Sequence, residues 1–211
     1  MRILTVLKSI RENPNLLKEQ PTLQHFLQTQ GNVLAQGTGN KVTEQEACFA
    51  KILQDNGYTF VTKREIPIDV SYYKYQPNGT QKSPDFEVYD HVANKRLKFD
   101  LKHTSGKSFY FNDGWFEKGL IYVISWSPKK DVNKVLIGYG DDIPTQEEND
   151  EMSRFIQFKK DCNKQNKNIG SLQKCVRFAN KYSCQSFTDE FSEDKFNRVL
   201  ESLTVPPSEY M

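Results

Sequence analysis

Two stretches of alternating apolar and polar residues, joined by a short polar connection, constrain the fold of this 211-residue chain most strongly. In the second stretch, Arg96 to Lys102, leucine and phenylalanine alternate with charged residues, which is the period of a β-strand. The first stretch, Asp85 to Tyr89, alternates in the same way, and Asp90 to Lys95 suits a hairpin connection. The pattern therefore predicts two antiparallel strands with Asp85 and Asp100 on a common face.

The polar face of this hairpin carries two carboxylates and a lysine, which are side chains that a metal-dependent phosphodiesterase would need. Asp100 and Lys102 are neighbours on that face, and Glu87 beside Asp85 is either an extra ligand or a surface charge. Mg²⁺ prefers carboxylate oxygens and commonly takes one or two of them, with water and phosphate oxygens in its other positions. A nearby lysine can stabilise a hydroxide or the negative charge developing on a phosphate. A surface hairpin with solvated charges explains the same spacing.

The segments Ser83-Pro84-Asp85 and Asp100-Leu101-Lys102 match the motif of the PD-(D/E)xK nuclease superfamily, which this part of the chain resembles. Members of that superfamily usually carry a glutamate on a helix before the hairpin. The stretch 43–58 predicts such a helix, because Thr43 and Glu46 have the spacing of a capping box. Glu46 therefore has two candidate roles, in the cap and at the metal, and the two do not exclude each other.

The segment after the motif is similar to the core of type II restriction endonucleases within that superfamily. A polar stretch over 102–115 precedes the apolar run Leu120 to Trp126, which predicts a strand covered on both faces, and another strand is expected at Lys134 to Gly140. The resemblance covers roughly residues 43 to 140. It implies an α/β (α+β) fold of restriction-endonuclease type, in which helices flank a mixed central sheet and both termini add further helices.

The resemblance implies a type II restriction endonuclease, which hydrolyses phosphodiester bonds of double-stranded DNA at a short specific sequence through a Mg²⁺-activated water. Mn²⁺ is expected to substitute for Mg²⁺. Asp85 and Asp100 would hold the metal, and the backbone carbonyl of Leu101 would complete its coordination. Lys102 would orient the attacking water or help to deprotonate it, and Glu46 is counted among the catalytic residues.

Candidate DNA contacts follow the second predicted strand. They are His103, Lys107, Asn112 and Asp113. In the major groove lysine suits guanine and asparagine suits adenine, although 112–114 is also an ordinary turn. His103 follows Lys102 directly, so within a strand it would point to the opposite face. Basic residues between 153 and 181 form either a second phosphate-contacting surface or a solvated helix face.

Two other functions fit the same residues. One is a structure-specific DNA repair or recombination nuclease of the same fold, and the other is a DNA-binding or structural protein without catalysis. Double-stranded DNA is the expected partner, and no association with a membrane is expected. Both a monomer and a homodimer are compatible with the sequence. A cognate DNA methyltransferase is expected as a functional partner that forms no physical complex with this chain.

Composition and length predict one domain over residues 1–211, with the catalytic core at about 43–140 and a helical C-terminal part at about 145–205. Helices are expected in two pieces within 1–30 and then at 147–162, 171–181 and 190–203. The formal charge of +2 says little about nucleic acid. Without a signal-peptide or membrane-span pattern, a cytoplasmic protein is expected. The four cysteines lack the close pairs of a zinc site and are expected to be reduced thiols.

Overall fold

The structure is a computed structural model that describes residues 2–18, 43–62, 67–78, 83–112, 114–129, 132–165 and 179–204. Within these ranges the chain has a mixed sheet of six strands, a separate pair of strands and four α-helices. The α+β class and the mixed sheet flanked by helices are therefore confirmed. None of the helices in the described ranges has the length and apolar character needed to span a membrane.

The helices follow the local signals in the sequence. They are α1 (Arg2–Glu12), α2 (Glu44–Asp55), α3 (Gln146–Gln165) and α4 (Asp189–Thr204). The chain leaves α1 at Asn13, and Pro14 begins a short 3-10 helix, because proline lacks the N–H that would continue the α-helix. The rest of the second helical piece expected within 1–30 lies outside the described residues. Both halves of the predicted capping box at Thr43 and Glu46 are present.

The strands form two sheets. They are β1 (Thr59–Phe60), β2 (Tyr72–Tyr75), β3 (Phe86–Asp90), β4 (Lys95–Thr104), β5 (Ser108–Asn112), β6 (Ile121–Lys129), β7 (Val132–Tyr139) and β8 (Ala179–Ser183). The large sheet has the order β1-β2-β3-β4-β6-β7, in which β1 pairs with β2 and β4 pairs with β6 in parallel, and the other neighbours are antiparallel. Strands β5 and β8 pair antiparallel in the small sheet.

The predicted hairpin is confirmed in strand type, direction and face. Strands β3 and β4 are antiparallel, and Phe86 pairs with Phe99 while Glu87 pairs with Lys98. Asp85 directly precedes Phe86 and Asp100 directly follows Phe99. Since side chains alternate along a strand, Asp85 and Asp100 therefore extend the face that Glu87 and Lys98 occupy.

The two faces of the large sheet pack against different groups of elements. Helices α1, α2 and α4 cover one face, where Phe99, Ile121 and Val123 are buried. Strands β5 and β8 and the aromatic residues before β6 cover the other face, on which Tyr122 is buried. The prediction that β6 is covered on both sides is thus confirmed. Asp100 pairs with Tyr122 in the parallel β4–β6 ladder and so belongs to this second face.

Two details of the predicted element pattern are wrong. The helix expected at 171–181 does not extend over Ala179 to Lys181, which lie in β8, and residues 171–178 lie outside the described residues. The stretch 102–115 contains strand β5, whose Phe109 and Phe111 are buried, so it is not simply a polar segment open to a ligand. Both errors have one cause, because β5 and β8 are defined by pairing with each other across a long sequence separation.

Candidate active site

The hairpin brings the two predicted carboxylates together at the start of β3 and within β4. Asp100 is 4% exposed, and Asp85 is half-buried. Asp85 Oδ2 accepts a hydrogen bond of 2.8 Å from the backbone N–H of Leu101, which fixes the Asp85 side chain against the neighbouring strand. Such burial argues against a surface hairpin with solvated charges, because unpaired carboxylates avoid the interior.

Lys102 is held against this pair by one ion pair and two aromatic rings. Its ammonium is hydrogen-bonded to Asp100 Oδ1. Lys102 Nζ also lies 5.6 Å from the centroid of the Phe111 ring and 6.0 Å from that of the Tyr122 ring. Cations are attracted to aromatic faces at these distances. The positive charge is therefore fixed beside the carboxylates at a half-buried position.

Burial and neighbouring carboxylates make both aspartates hard to ionise. Burial, together with the charge of Asp100, raises the pKa of Asp85 to about 7, against the opposing influence of the Leu101 N–H and Lys102. Burial also raises the pKa of Asp100, and the ammonium of Lys102 partly offsets this effect. Paired carboxylates with raised pKa values are typical of functional sites. A cation placed between them would stabilise their ionised forms.

Glu46 performs the predicted capping role and also lies at the edge of the carboxylate pair. Its Oε2 accepts a hydrogen bond of 2.7 Å from the N–H of Thr43, while its own N–H donates to Thr43 Oγ1 at 3.3 Å. Glu46 is 9% exposed, and its charge contributes to a raised pKa of Tyr75. Its charge contributes to the raised pKa of Asp85. The cap therefore places a third carboxylate close to Asp85.

The site offers a metal ion the carboxylates of Asp85 and Asp100. Among the described residues, no group of three or more Asp, Glu, His or Cys side chains is arranged to hold a metal. Mg²⁺ does not require three, since it is commonly bound by one or two carboxylates together with water and substrate phosphate. Asp85 and Asp100 fit that donor set. Leu101, whose carbonyl is the expected third ligand, contacts this pair through its N–H group, which donates to Asp85.

Three residues that the sequence analysis did not identify as functional also belong to the site. Ser83 Oγ donates a hydrogen bond of 2.7 Å to Glu117 Oε1, and the charge of Glu117 raises the pKa of Asp100. Gln45 is buried, and its Nε2 lies 3.3 Å from each of three oxygens, one of which is the carbonyl of Lys102. Helix α2 thus supports the catalytic strand through Gln45. No local pattern signals these contacts, because each joins residues distant in sequence.

The candidate DNA contacts do not form one group with the carboxylates. His103 is exposed on the opposite face of β4 from Lys102, and its Nδ1 lies 2.8 Å from Ser125 Oγ. Lys107 is exposed in the connection between β4 and β5. The side chain of Asn112 and the whole of Asp113 lie outside the described residues. Glu87 Oε1 lies 3.5 Å from Arg96, which is consistent with its alternative role as a surface charge.

No family model, curated protein or solved structure matches this chain. The class that the structure defines is an α+β protein in which a buried aspartate, a half-buried aspartate and a lysine share one sheet face. The case for a function therefore rests on the chemistry of these side chains.

The raised pKa of Asp85 leads to an expected pH dependence of stability. An aspartate in the unfolded chain titrates near about 3.9, so between about pH 4 and 7 the folded state retains a proton that the unfolded state has released. The free energy of unfolding of the metal-free wild type should therefore fall, relative to that of Asp85→Asn, as the pH rises from 5 to 7.5. Urea denaturation in EDTA measures this difference. The exposed Asp55→Asn is the control, and a difference independent of pH would contradict the expectation.

Proposed function

We propose that this protein is a Mg²⁺-dependent endonuclease with a restriction-endonuclease-like fold, which cuts double-stranded DNA at a short specific sequence in the cytoplasm. The observation that carries the proposal is the pairing of the half-buried Asp85, just before β3, with the buried Asp100 on β4, and the ion pair between the Lys102 ammonium and Asp100. These residues are also the ones through which the chain resembles PD-(D/E)xK nucleases.

Each residue of the site has a defined task in this reaction. Asp85 and Asp100 would hold Mg²⁺, and Mn²⁺ would substitute for it. When bound, the ion lowers the pKa of a water molecule and neutralises charge on the phosphate. Lys102 would orient the attacking water and offset the negative charge that develops on the phosphate. Glu46 would add a third negative charge beside Asp85 and so strengthen the attraction of the site for a cation.

The secondary structure explains how the site keeps its geometry. Asp85 accepts a hydrogen bond from the Leu101 N–H of the next strand, and the Lys102 carbonyl accepts one from the Gln45 side chain of α2. Sites on strands supported by a second layer of hydrogen bonds are held more precisely than sites on loops. This arrangement supports a catalytic role, because a purely structural hairpin does not need two carboxylates and a lysine in buried or half-buried positions.

Incubation of the wild type with a sequenced plasmid and Mg²⁺ tests the proposal. Discrete bands that disappear in EDTA and with Lys102→Ala are expected for sequence-specific cleavage. Cleavage limited to mismatched, branched or damaged DNA would instead indicate the repair or recombination nuclease. Retention of duplex DNA in a mobility-shift assay without any cleavage, with Mg²⁺ and with Mn²⁺, would contradict the enzyme and indicate a DNA-binding protein.

A further inference from the structure

The hydroxyl of Ser83 lies between two carboxylates of the site. Ser83 Oγ donates a hydrogen bond of 2.7 Å to Glu117 Oε1, and the same side chain lies close enough to Asp100 to lower the pKa of that carboxyl. A serine hydroxyl has a single proton, so it can donate to only one of these carboxylates at a time. Glu117 and Asp100 therefore compete for the same donor.

The backbone of Glu117 is fixed beside Asp100 by three contacts. Its N–H donates a hydrogen bond of 2.9 Å to the hydroxyl of Tyr122, which is 1% exposed and pairs with Asp100 in the β4–β6 ladder. Its carbonyl accepts from the N–H of Leu120 at 3.3 Å. A Cβ atom added at Gly140 would lie 2.3 Å from this carbonyl, so the close approach requires glycine. The Glu117 backbone is therefore fixed in position, and its exposed side chain reaches Ser83 from there.

Competition for the Ser83 proton affects how Asp100 can bind a cation. An oxygen of Asp100 that accepts the Ser83 hydroxyl has one lone pair fewer for Lys102 or a metal ion. When Glu117 accepts the Ser83 hydrogen bond, Asp100 keeps that lone pair for Lys102 or a metal ion. We propose that Glu117 is a positioning residue that draws the Ser83 hydroxyl away from Asp100 and thereby keeps the Asp100 carboxylate open to a divalent cation. This inference rests on the proposed Mg²⁺ site.

The test measures Mg²⁺ affinity by isothermal titration calorimetry, without DNA. Glu117→Ala should weaken Mg²⁺ binding about tenfold, the effect of one hydrogen bond to a charged group. Adding Ser83→Ala to Glu117→Ala should restore most of the affinity, because the competing donor is removed. Glu117→Gln keeps an acceptor oxygen and should weaken binding less than Glu117→Ala. Glu147→Ala, which removes an exposed carboxylate on α3, is the matched control, and thermal unfolding checks that each variant is folded.

Two results would overturn the role of Glu117. If Glu117→Gln binds Mg²⁺ as weakly as Glu117→Ala does, Glu117 acts through its charge and does not act through Ser83. If Ser83→Ala brings no recovery in the Glu117→Ala background, the two residues are not coupled. A wild type that neither binds Mg²⁺ nor cleaves DNA overturns the proposed function, and the positioning role with it. A wild type that binds Mg²⁺ while its variants fail the expected order overturns the positioning role alone.

Discussion

Lys102→Ala is expected to slow Mg²⁺-dependent DNA cleavage by about a thousandfold, because it removes a fixed charge from the place where negative charge develops on the phosphate. In the structure the ammonium is hydrogen-bonded to Asp100 and faces the rings of Phe111 and Tyr122. These contacts hold it in one position, so that little reorganisation is needed when the phosphate arrives. Initial rates of plasmid cleavage at saturating Mg²⁺ measure the effect.

Mg²⁺ affinity separates a role in chemistry from a role in metal binding. Lys102 is not a metal ligand, and its ammonium competes with a metal cation for the Asp100 carboxylate. Lys102→Ala should therefore bind Mg²⁺ at least as tightly as the wild type while losing the rate. A variant that loses the rate only because Mg²⁺ no longer binds would contradict this role for Lys102.

Lys98→Ala is the matched control for this experiment. Lys98 lies on the same strand and the same face as Lys102, but it is exposed and pairs with Glu87 in the β3–β4 ladder. Its removal should change the cleavage rate by less than about threefold, as expected for a screened surface charge. Equal losses in Lys98→Ala and Lys102→Ala would mean that both lysines act only through general attraction of DNA.

The parts of the structure that the sequence predicts correctly depend on neighbouring residues. Alternation over 96–102 is sufficient to define β4 and to place Asp100 and Lys102 on one face, because strand period is a local property. The cap of α2 is equally local, since it needs only Thr43 and the glutamate three residues later. The relative position of Asp85 and Asp100 follows from the same reasoning, once the polar connection is interpreted as a hairpin.

The burial of the site could not be predicted in this way. Asp100 is covered because β5 and the aromatic residues before β6 pack on its face, and those residues are adjacent only in the folded chain. The contact of Ser83 with Glu117 spans 34 positions, and β8 is a strand only because it pairs with β5. Alternation identifies a polar face, but it does not show whether water or protein covers that face.

A second large effect is expected in folding. Asp90 is 0% exposed, and its carboxyl accepts three hydrogen bonds. The donors are the N–H of Ile3 at 3.2 Å, the hydroxyl of Tyr58 at 2.8 Å and the N–H of Ala93 at 3.1 Å. One buried carboxyl thus joins the start of α1, the segment after α2 and the turn between β3 and β4.

Asp90→Ala is expected to lower the free energy of unfolding by about 3 kcal/mol or more, because two buried donors and one partly buried donor lose their acceptor and each unsatisfied buried group costs about 1–3 kcal/mol. Urea denaturation of the metal-free protein measures the loss. Since whole domains have only about 5–15 kcal/mol of stability, the variant should be unfolded at much lower urea concentrations than the wild type.

Two further variants determine whether the loss comes from these hydrogen bonds. Tyr58→Phe removes one donor and should cost about 1 kcal/mol in the wild type but less in the Asp90→Ala background, because its partner is then already absent. Asp55→Ala removes an exposed carboxylate of α2 and should cost less than about 0.5 kcal/mol. Additive effects of Tyr58→Phe and Asp90→Ala would contradict the shared network. Asp90 ends β3, and the turn after it leads into β4, which carries Asp100. Loss of the hydrogen bonds to Asp90 should therefore also impair Mg²⁺ binding.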